Sequence, residues 1–397
     1  MKVLQINVVY NTGSTGKIMC DIRTVLTEEQ IDSVICYGRG PRVTEKNVYK
    51  TCGELYSKFN NLFSRLTGLM YGGCFISTQR LIRRIKKERP DIVHLHCLNG
   101  YFVNIYRLIS WLKKSKIKTV LTLHAEFMHT ANCAHAFNCE KWKTGCGHCS
   151  RCKQETRSLL LDGTHRSWMK MKKAFADFEG LRVVSVSPWL MERAKSSPIL
   201  RDCEHTTILN GLDITVFQPK ESNVRERLGI GERKMIFHAT PKFDDDPDNI
   251  KGGCYLIRLA EKMPSVVFVV AGRYAERLRV PENMVLLGKV SDQNVLSEYY
   301  SAADLTVLTS KRETFSMIVA ESLCCGTPVV GFRAGGPESI AVEEYSAFVK
   351  HGDVESLRKK TEEMLMCPSK RSLVASRAAL VYSKQKMTRK YMELYQK

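Results

Sequence analysis

The chain has 397 residues, of which 44% are hydrophobic and 26% are charged, a composition typical of a globular protein. That length exceeds one ordinary hydrophobic core, so we expect two domains. No apolar run approaches the roughly 18 residues that span a bilayer, and the N-terminus lacks the features of a signal peptide, so we expect a cytoplasmic protein. The formal net charge of +20 requires an acidic partner, such as nucleic acid, anionic lipid or a phosphorylated substrate.

The N-terminal stretch is a predicted strand, Lys2–Tyr10, followed by a glycine turn and a helix that extends to about Gln30. Gly13 and Gly16 in this turn would let the backbone approach a ligand closely. The glycine spacing matches neither a Walker loop nor a dinucleotide-binding turn. A turn without function is an equally good interpretation.

Two amphipathic helices are predicted next. The second is Gln79–Glu88, with the sequence QRLIRRIKKE, and the first has apolar residues at helical spacing: Leu55, Phe59, Leu62, Phe63, Leu66 and Leu69. Basic amphipathic helices with aromatic neighbours suit an anionic membrane surface. The alternative, which we favour for one such helix taken alone, is a helix that covers an α/β sheet and turns its basic side to solvent.

Further strands are predicted at Asp91–His96, Thr119–His124 and Arg182–Ser187. His96 and His124 end two of these strands and so occupy the rim of a parallel sheet, where ligands bind. A single histidine is more often structural, but two on one rim favour a functional His124.

A cysteine-rich segment lies between the second and third of these strands. Cys133, Cys139, Cys146 and Cys149 have the spacing Cys-x5-Cys-x6-Cys-x2-Cys, and the closing pair is typical of a tetrahedral zinc site. We predict a structural zinc site, because four thiolates leave no position open for a catalytic water. A reduced cysteine-rich loop is the alternative.

The second half repeats the alternation of strands and helices after a polar linker that ends near Arg233, which predicts a second doubly wound domain. The predicted strands are Met235–Thr240, Val266–Gly272, Met284–Gly288, Asp304–Ser310 and Thr327–Phe332, and the predicted helices are Gly253–Met263, Gln293–Ala302, Thr314–Cys325, Val354–Met366 and Lys370–Tyr395. An acidic loop near Asp244 is interpreted as solvated. Lys251, at the start of a helix, is a better candidate for a phosphate ligand.

The stretch with the most chemical content is Lys311–Gly336. Glu313 and Glu321 stand eight residues apart, which corresponds to about 12 Å along a helix axis. A helix that begins at the carboxyl end of a parallel strand offers free amides to a phosphate. One carboxylate can then face a sugar while the other reaches the ribose of the same nucleotide.

Together these residues resemble retaining glycosyltransferases of the GT-B fold, family four, especially the bacterial exopolysaccharide and capsule branch. The resemblance covers nearly the whole chain and is strongest at Glu313-x7-Glu321 followed by CGTPVVGFRAGGPESI, with support from LNGLD, LHCLNGYFVN and EKWKTGCGHC. It implies an α/β protein with two Rossmann-like domains that face each other across a cleft. The implied parts are an acceptor domain (1–209) with a cysteine-rich insertion (133–152), a nucleotide-sugar domain (210–380) and a C-terminal helix (381–397) that returns to the acceptor domain.

The resemblance also implies roles for individual residues. Glu313, His124 and Lys251 would be the catalytic residues, with Lys251 neutralising the donor diphosphate. The donor-binding set would be the ribose ligand Glu321, the amides of Thr314, Phe315 and Ser316, the turn residues Gly13 and Gly16, and Lys242.

Three positions depart from the family's pattern. Thr240 stands where an arginine is usual, so Lys242 would have to replace it; Ala125 follows His124 where the related bacterial sequences often have aspartate; and Ser316 replaces a glycine. A catalytically impaired homologue is therefore one alternative. A zinc-containing nucleic-acid-binding protein is a second and less favoured one, because no usual nucleic-acid module is visible.

The function that the resemblance implies is transfer of a sugar, with retention of configuration, from a nucleotide sugar to a lipid-linked or polysaccharide acceptor. A UDP-sugar is the favoured donor, and no cofactor is expected for catalysis. The basic, amphipathic N-terminal half adds the expectation of a peripheral enzyme on the inner face of the cell membrane, with an anionic membrane surface and not nucleic acid as its partner.

Overall fold

The structure, a computed structural model, describes all residues from Met1 to Lys397. The chain divides into two compact units. The first contains Met1–Ile208 together with Met387–Lys397, and the second contains Leu209–Lys386. No helix is long and apolar enough to cross a membrane.

The first unit is built on a seven-stranded parallel sheet with the order β3-β2-β1-β4-β5-β6-β7. Its strands are β1 (Lys2–Val9), β2 (Asp32–Arg39), β3 (Val48–Lys50), β4 (Ile92–Leu95), β5 (Lys118–Leu123), β6 (Leu181–Ser185) and β7 (Glu204–Thr207). Its helices are α1 (Gly13–Glu28), α2 (Glu54–Thr67), α3 (Phe75–Glu88), α4 (Ile105–Ser115), α5 (Phe127–Thr130), α6 (Cys152–Glu155), α7 (Thr164–Phe175) and α8 (Pro188–Lys195).

The second unit contains a six-stranded parallel sheet with the order β10-β9-β8-β11-β12-β13. Its strands are β8 (Met235–Lys242), β9 (Val267–Arg273), β10 (Met284–Gly288), β11 (Leu305–Leu308), β12 (Val329–Phe332) and β13 (Ser346–Val349). Its helices are α9 (Val224–Arg227), α10 (Gly253–Glu261), α11 (Gln293–Ala302), α12 (Met317–Cys324), α13 (Gly336–Ile340), α14 (Val354–Met366) and α15 (Arg371–Tyr382), and α16 (Lys384–Gln396) begins there.

Both sheets have the strand order of a doubly wound fold, which confirms the predicted α/β class with two Rossmann-like domains. The central strands are largely apolar and buried because helices cover both faces of a parallel sheet; Val3, Leu4 and Ile6 of β1, for example, are completely buried. In each sheet the order reverses at one point, between β1 and β4 in the first unit and between β8 and β11 in the second. Ligands of such sheets bind at the carboxyl ends of the strands at that point.

Two predicted helices differ from the structure. The helix expected from Thr314 begins at Met317, because the preceding segment pairs as an isolated bridge between Glu313 and Gly335. The segment Lys370–Tyr395 is not one helix but two, α15 and α16, separated by an extended Ser383. The backbone of Leu212 accounts for this break, since its amide and carbonyl bond to Tyr382 and Lys384 and replace the bonds that would have continued the helix.

The C-terminal part of α16 packs in the first unit. Tyr391 and Tyr395 are buried there. The hydroxyl of Tyr395 lies 2.7 Å from Nδ1 of His94 on β4, and that of Tyr391 lies 2.9 Å from Oγ1 of Thr122 on β5. The helix thereby reaches the buried polar residues at the centre of the first sheet.

Candidate functional site

The two loops at the switch point of the second sheet are joined by an ion pair. Lys251 Nζ, in the loop after β8, lies 2.5 Å from Glu313 Oε1, in the loop after β11. Both side chains are partly buried, so solvent screens this pair less than an exposed one. The sequence separates these residues by 62 positions, and the crossover topology brings them together.

Lys251 is held in place by the residues around it. Its amide donates to Asn249 Oδ1 (2.9 Å), and its carbonyl accepts from Thr309 Oγ1 (2.9 Å). Asn249 in turn donates to both carboxylate oxygens of Asp244, at 2.8 and 2.9 Å. A Cβ on Gly252 would lie 2.3 Å from Thr309 O, so only glycine allows this close approach. Asp244 of the acidic loop therefore has a structural part in positioning Lys251.

Glu313 is positioned by the glycine turn after β12. Its amide donates to Ala334 O (3.0 Å), and its carbonyl accepts from the amide of Gly336 (2.9 Å). A Cβ on Gly336 would lie 2.3 Å from the carbonyl carbon and oxygen of Thr314. Glu338 secures the same turn by accepting from the amide of Gly335 at 2.9 Å. The two glycines therefore allow the turn to pack directly against the segment that carries Glu313.

The N-terminus of α12 follows immediately. Neither the amide of Phe315 nor that of Ser316 donates to a backbone carbonyl, so both remain available to an anion. Ser316 has φ 77° and ψ 94°, a backbone conformation that favours glycine. Its hydroxyl is buried and has no hydrogen-bond partner. This residue carries both backbone strain and an unsatisfied polar group.

We expect Ser316→Gly to stabilise the second unit by about 1–2 kcal/mol, because glycine relieves the positive φ and removes the unpaired hydroxyl. Calorimetry should show a melting temperature about 2–4 °C higher for each kcal/mol gained. Ser316→Ala is the matched control, since it removes the hydroxyl but keeps the Cβ. If both variants gained the same stability, the positive φ of Ser316 would not be a source of strain.

Glu321 lies one helical turn further along α12. Its Oε2 accepts a hydrogen bond of 3.0 Å from the hydroxyl of Tyr300, a completely buried residue of α11. Burial and the neighbouring Glu321 carboxylate hold the pKa of Tyr300 well above its usual range, so the hydroxyl remains a donor. Tyr300 therefore orients the Glu321 carboxylate.

Lys242 and Thr240 lie at the carboxyl end of β8. Lys242 Nζ is 2.7 Å from Asp244 Oδ2, and its side chain is mostly exposed. The hydroxyl of Thr240 donates to the carbonyl of Lys242 at 3.0 Å. Arg273 ends the neighbouring strand, pairs with Lys242 in the sheet and is exposed. This edge therefore carries two cationic side chains although the usual arginine is absent.

The glycine turn of the first unit lies at the carboxyl end of β1. Gly13 has φ +63°, and the space beside its Cα is open. Gly16 is buried, and a Cβ there would approach Asn11 N to 3.2 Å. Exposed backbone at Gly13 and close packing at Gly16 together leave this turn accessible at the rim of the sheet.

A chain of hydrogen bonds connects Gln5 to His124 through His96. Gln5 Nε2 donates to Met19 O (3.4 Å), which leaves Oε1 to accept from His96 Nε2 (3.1 Å). His96 then carries its proton on Nε2, so its Nδ1 accepts from His124 Nε2 at 3.2 Å. This network assigns the tautomer of both histidines.

Burial also keeps these rings neutral. It lowers the pKa of His94 to about 3 and that of His124 to about 4, and it lowers the pKa of His96 well below the usual value. His94 belongs to a separate network, because its two ring nitrogens contact Tyr395 and Thr122. All three imidazoles are therefore uncharged at neutral pH.

We expect the first unit to lose stability as the pH falls below about 6.5, where the unfolded chain binds protons that these folded histidines cannot. Each contributes a slope of up to about 1.4 kcal/mol per pH unit. All four tryptophans of the chain lie in the first unit, so tryptophan fluorescence during urea unfolding measures this unit. Burial lowers the pKa of His129 and His205 in this unit as well, so His94→Gln should reduce the slope by about a fifth. A urea midpoint independent of pH between about pH 5 and 7 would refute the expectation.

Glu126 has a structural role. Its Oε2 accepts from the amide of Ala136 (2.8 Å), and Oε1 forms an ion pair with Arg193. Burial raises the pKa of Glu126, but the nearby His129 ring, with Nε2 at 3.7 Å, and the charge of Arg193 outweigh it and hold the pKa at about 2. The Glu126 carboxylate is therefore bound to other groups inside the first unit. It does not replace the aspartate that related sequences often have at the position of Ala125.

The predicted zinc site at Cys133, Cys139, Cys146 and Cys149 is not supported. Nowhere in the protein do three histidine, cysteine or acidic side chains come together in a way that could hold a metal ion. The segment is organised around a buried tryptophan instead: Trp142 Nε1 donates to Cys139 O (2.8 Å), and its carbonyl accepts from Trp168 (2.9 Å). Sequence spacing alone does not determine whether thiols converge.

Comparison with known proteins identifies the domain that contains this site. Residues 249–381, which include Lys251, Glu313 and Glu321, match the family model of glycosyl transferases group 1. The chain carries a group 1 glycosyltransferase domain. The predicted resemblance to glycosyltransferases is therefore confirmed for the domain that contains residues 249–381.

The chain resembles known proteins over its full length. It is 22% identical over 411 aligned positions to the putative colanic acid biosynthesis glycosyl transferase WcaC of Escherichia coli K12, with 100% of both chains covered. Sucrose-phosphate synthase of Thermosynechococcus elongatus superposes with a TM-score of 0.68 at 15% identity, covering 100% of this chain and 98% of that one. Anabaena HepE, solved in complex with UDP, superposes with a TM-score of 0.65 at 16% identity over 99% of each chain. These likenesses confirm the GT-B fold.

Sequence reasoning gave no role to several residues that position the predicted site residues. Tyr300, Asn249 and Glu338 each position a predicted site residue or its loop, and Gln5 and His96 hold His124. Tyr300 was indistinguishable from an ordinary core aromatic residue of α11. For the hydrogen bond between His96 and His124, the sequence offered one signal: both histidines end strands at the same rim of the sheet.

Proposed function

We propose that this protein transfers a sugar from a nucleotide-sugar donor to a lipid-linked or polysaccharide acceptor, with retention of anomeric configuration. The observation that carries the proposal is the Lys251–Glu313 ion pair of 2.5 Å at the switch point of the second sheet, next to the N-terminus of α12. A cation, a carboxylate and free amides at one place suit a ligand that combines a diphosphate with a sugar.

The proposed chemistry is electrostatic. Cleavage of the sugar–phosphate bond leaves negative charge on the departing diphosphate, and fixed cations and helix-terminal amides stabilise that charge. Lys251 and the amides of Thr314, Phe315 and Ser316 supply these groups. When the diphosphate takes over Lys251, Glu313 is released to accept hydrogen bonds from the sugar. We propose front-face attack, in which the leaving phosphate helps to deprotonate the acceptor, without a cofactor.

The remaining roles follow the resemblance. Glu321, oriented by Tyr300, would bind the ribose hydroxyls, and His124, whose Nε2 donates to His96, would accept a hydrogen bond from the sugar at Nδ1. The turn with Gly13 and Gly16 would face the diphosphate or the acceptor. Lys242, with Arg273 beside it, would supply the positive charge that Thr240 lacks.

A UDP-sugar is the favoured donor because HepE, which shares the fold, was solved with UDP. The likeness to a putative colanic acid biosynthesis enzyme supports a polysaccharide or lipid-linked acceptor. Such acceptors are assembled at membranes, so we propose a peripheral enzyme on the inner face of the cell membrane.

Thermal-shift measurements across UDP-, GDP- and ADP-sugars test the donor, and transfer assays with the stabilising donors test the activity. Stabilisation by one nucleotide class, followed by a product whose anomeric configuration matches the donor by NMR, is the expected result. Binding without turnover with any donor and acceptor would favour an impaired homologue, for which Thr240 is the motivating departure. Inversion of configuration would overturn the proposed mechanism.

We expect Glu321→Ala to weaken UDP binding by about 10- to 100-fold, since hydrogen bonds to a charged group contribute about 1.5–3 kcal/mol. Calorimetric titration should compare UDP with an analogue that lacks both ribose hydroxyls. Wild-type protein should prefer UDP, while Glu321→Ala should bind both ligands alike. Tyr300→Phe, the milder control, keeps the carboxylate but removes its buried donor, so its loss should be smaller. If Glu321→Ala still preferred UDP over the analogue as strongly as wild-type protein does, Glu321 would not be the ribose ligand.

A further inference from the structure

The helix α2 packs on the first unit with its polar side. Its buried residues are Ser57, Asn60 and Ser64. Ser57 Oγ donates to Gly100 O at 3.1 Å, and Ser64 Oγ donates to Leu69 O at 2.8 Å. A surface helix ordinarily buries its apolar stripe and exposes its polar one. The orientation of α2 is the reverse.

The apolar side of α2 faces solvent as a consequence. The exposed fractions are 82% for Leu55, 66% for Phe59, 49% for Leu62, 43% for Phe63 and 41% for Leu66. Their spacing of four, seven, eight and eleven residues from Leu55 places all five on one face of the helix. Contiguous exposed apolar surface of this kind marks an interaction site.

Neighbouring segments extend this surface at both ends. Phe75 and Ile76 at the start of α3 are exposed, and the amide of Ile76 donates to the hydroxyl of Tyr56 on α2 (3.2 Å). At the other end, the amide of Leu159 donates to Arg65 O (2.8 Å) and leads into a run of exposed leucines. We call the whole surface the apolar face; it consists of Leu55, Phe59, Leu62, Phe63, Leu66, Phe75, Ile76, Leu159, Leu160 and Leu161.

A cationic cavity adjoins the apolar face at α3. It has a volume of about 430 Å³ and is lined by no carboxylate and by six basic residues: Arg42, Lys50, Arg80, Arg83, Arg84 and Lys87. Arg80, Arg83, Arg84 and Lys87 follow Ile76 at the same helical spacing that α2 shows, so one stripe of α3 passes from apolar to basic. Lys50 also contacts Glu54, the first residue of α2, at 3.1 Å.

A second cationic cavity lies at the C-terminal end of α2. Its volume is about 380 Å³, and Arg65, Lys153 and Arg157 line it beside Leu159. Leu159 belongs to the apolar face as well. Cations therefore border the apolar face at both ends.

We propose that the apolar face and the two cationic cavities form one surface that docks on an anionic lipid bilayer. The apolar side chains enter the interfacial region, and the phosphate groups of anionic lipids occupy the cavities. A second copy of the chain would cover the apolar face but would bring one charge of +20 against another. A nucleic acid would satisfy the cations but leave the apolar face in water. This surface deepens the proposed membrane location and is independent of the proposed chemistry.

Vesicle sedimentation without any nucleotide sugar tests the proposal on the full chain. Wild-type protein should bind vesicles that contain phosphatidylglycerol and not vesicles of phosphatidylcholine alone. The combined change Phe59→Glu, Leu62→Glu and Leu66→Glu should abolish binding without unfolding the protein, because the three side chains are exposed. The matched control is Leu373→Glu with Leu380→Glu, two exposed leucines of α15 in the second unit, which should bind as wild type does.

Neutralising one cavity tests the cationic part separately. Arg80→Gln, Arg83→Gln and Lys87→Gln together should lower vesicle partitioning roughly a hundredfold at low salt, since each basic residue near an anionic surface contributes a factor of about five. Undiminished vesicle binding by the glutamate variant would overturn the proposal. So would light scattering that shows a dimer for wild-type protein and a monomer for this variant. Transfer to a water-soluble acceptor should persist in all variants, so a failed docking surface leaves the proposed transferase activity testable on its own.

Discussion

Glu313→Gln is expected to lower turnover about a hundredfold without weakening UDP binding. Glutamine keeps the shape of the side chain but loses the charge that the developing positive character of the sugar would use. UDP lacks the sugar, so its binding does not report on that interaction. The change also releases Lys251 from its 2.5 Å ion pair, which leaves the ammonium free to bind the diphosphate.

Steady-state kinetics and calorimetric titration with UDP measure the two effects separately. Lys251→Met is the companion variant and should weaken both UDP binding and turnover, because in the proposed site the ammonium would contact the diphosphate in both states. If Glu313→Gln lost UDP affinity as severely as turnover, Glu313 would be a nucleotide ligand and its assignment to the sugar would be wrong.

His96→Leu is expected to lower kcat by up to about a hundredfold with a nearly unchanged KM for the donor. His96 supplies the acceptor that orients the Nε2 proton of His124, at 3.2 Å. Without it the ring of His124 can rotate, and small misplacements of a catalytic group cost about this much in rate. His96→Asn should retain most of the activity, since an amide oxygen can occupy the position of Nδ1.

His94→Leu is the matched control for this positioning role. His94 is equally buried on β4 and its ring centroid lies 4.0 Å from that of His96, but its ring nitrogens bond to Tyr395 and Thr122 and not to His124. Its loss should reduce stability without the same loss of kcat. Equal losses of kcat in His94→Leu and His96→Leu would show that the effect is general damage to the sheet. Nitrogen NMR shifts of His124 would report the tautomer directly.

Local pattern was enough to predict most strands of the two sheets, although the edge strands β3, β7 and β13 were not predicted. The strands are short apolar runs between helices of period 3.6, and this alternation has few solutions other than a parallel doubly wound sheet. Lys251, Glu313 and Glu321 could be selected as site candidates because they stand at strand ends or helix starts, and such positions meet at one edge of a parallel sheet.

Where local pattern failed, a distant segment had determined the outcome. The bridge between Glu313 and Gly335 delays the start of α12, and Leu212 interrupts the helix at Ser383. The cysteine spacing predicted a zinc site, but Trp142 and its hydrogen bonds organise that segment. Apart from the bond between Trp142 and Cys139, these contacts join residues far apart in the sequence, so no local window contains them.

The segment Lys311–Gly336 shows both what the local sequence pattern predicts and what tertiary contacts decide. The sequence by itself determined that a strand, a helix and a second strand carry two carboxylates near a phosphate-ready helix end, because periodicity and glycine positions are local properties. Only the tertiary structure decided that Glu313 pairs with Lys251, that Tyr300 holds Glu321, and that α2 turns its leucines and phenylalanines outward. Amphipathic spacing shows that a helix has two faces. Packing against the rest of the chain decides which of them is buried.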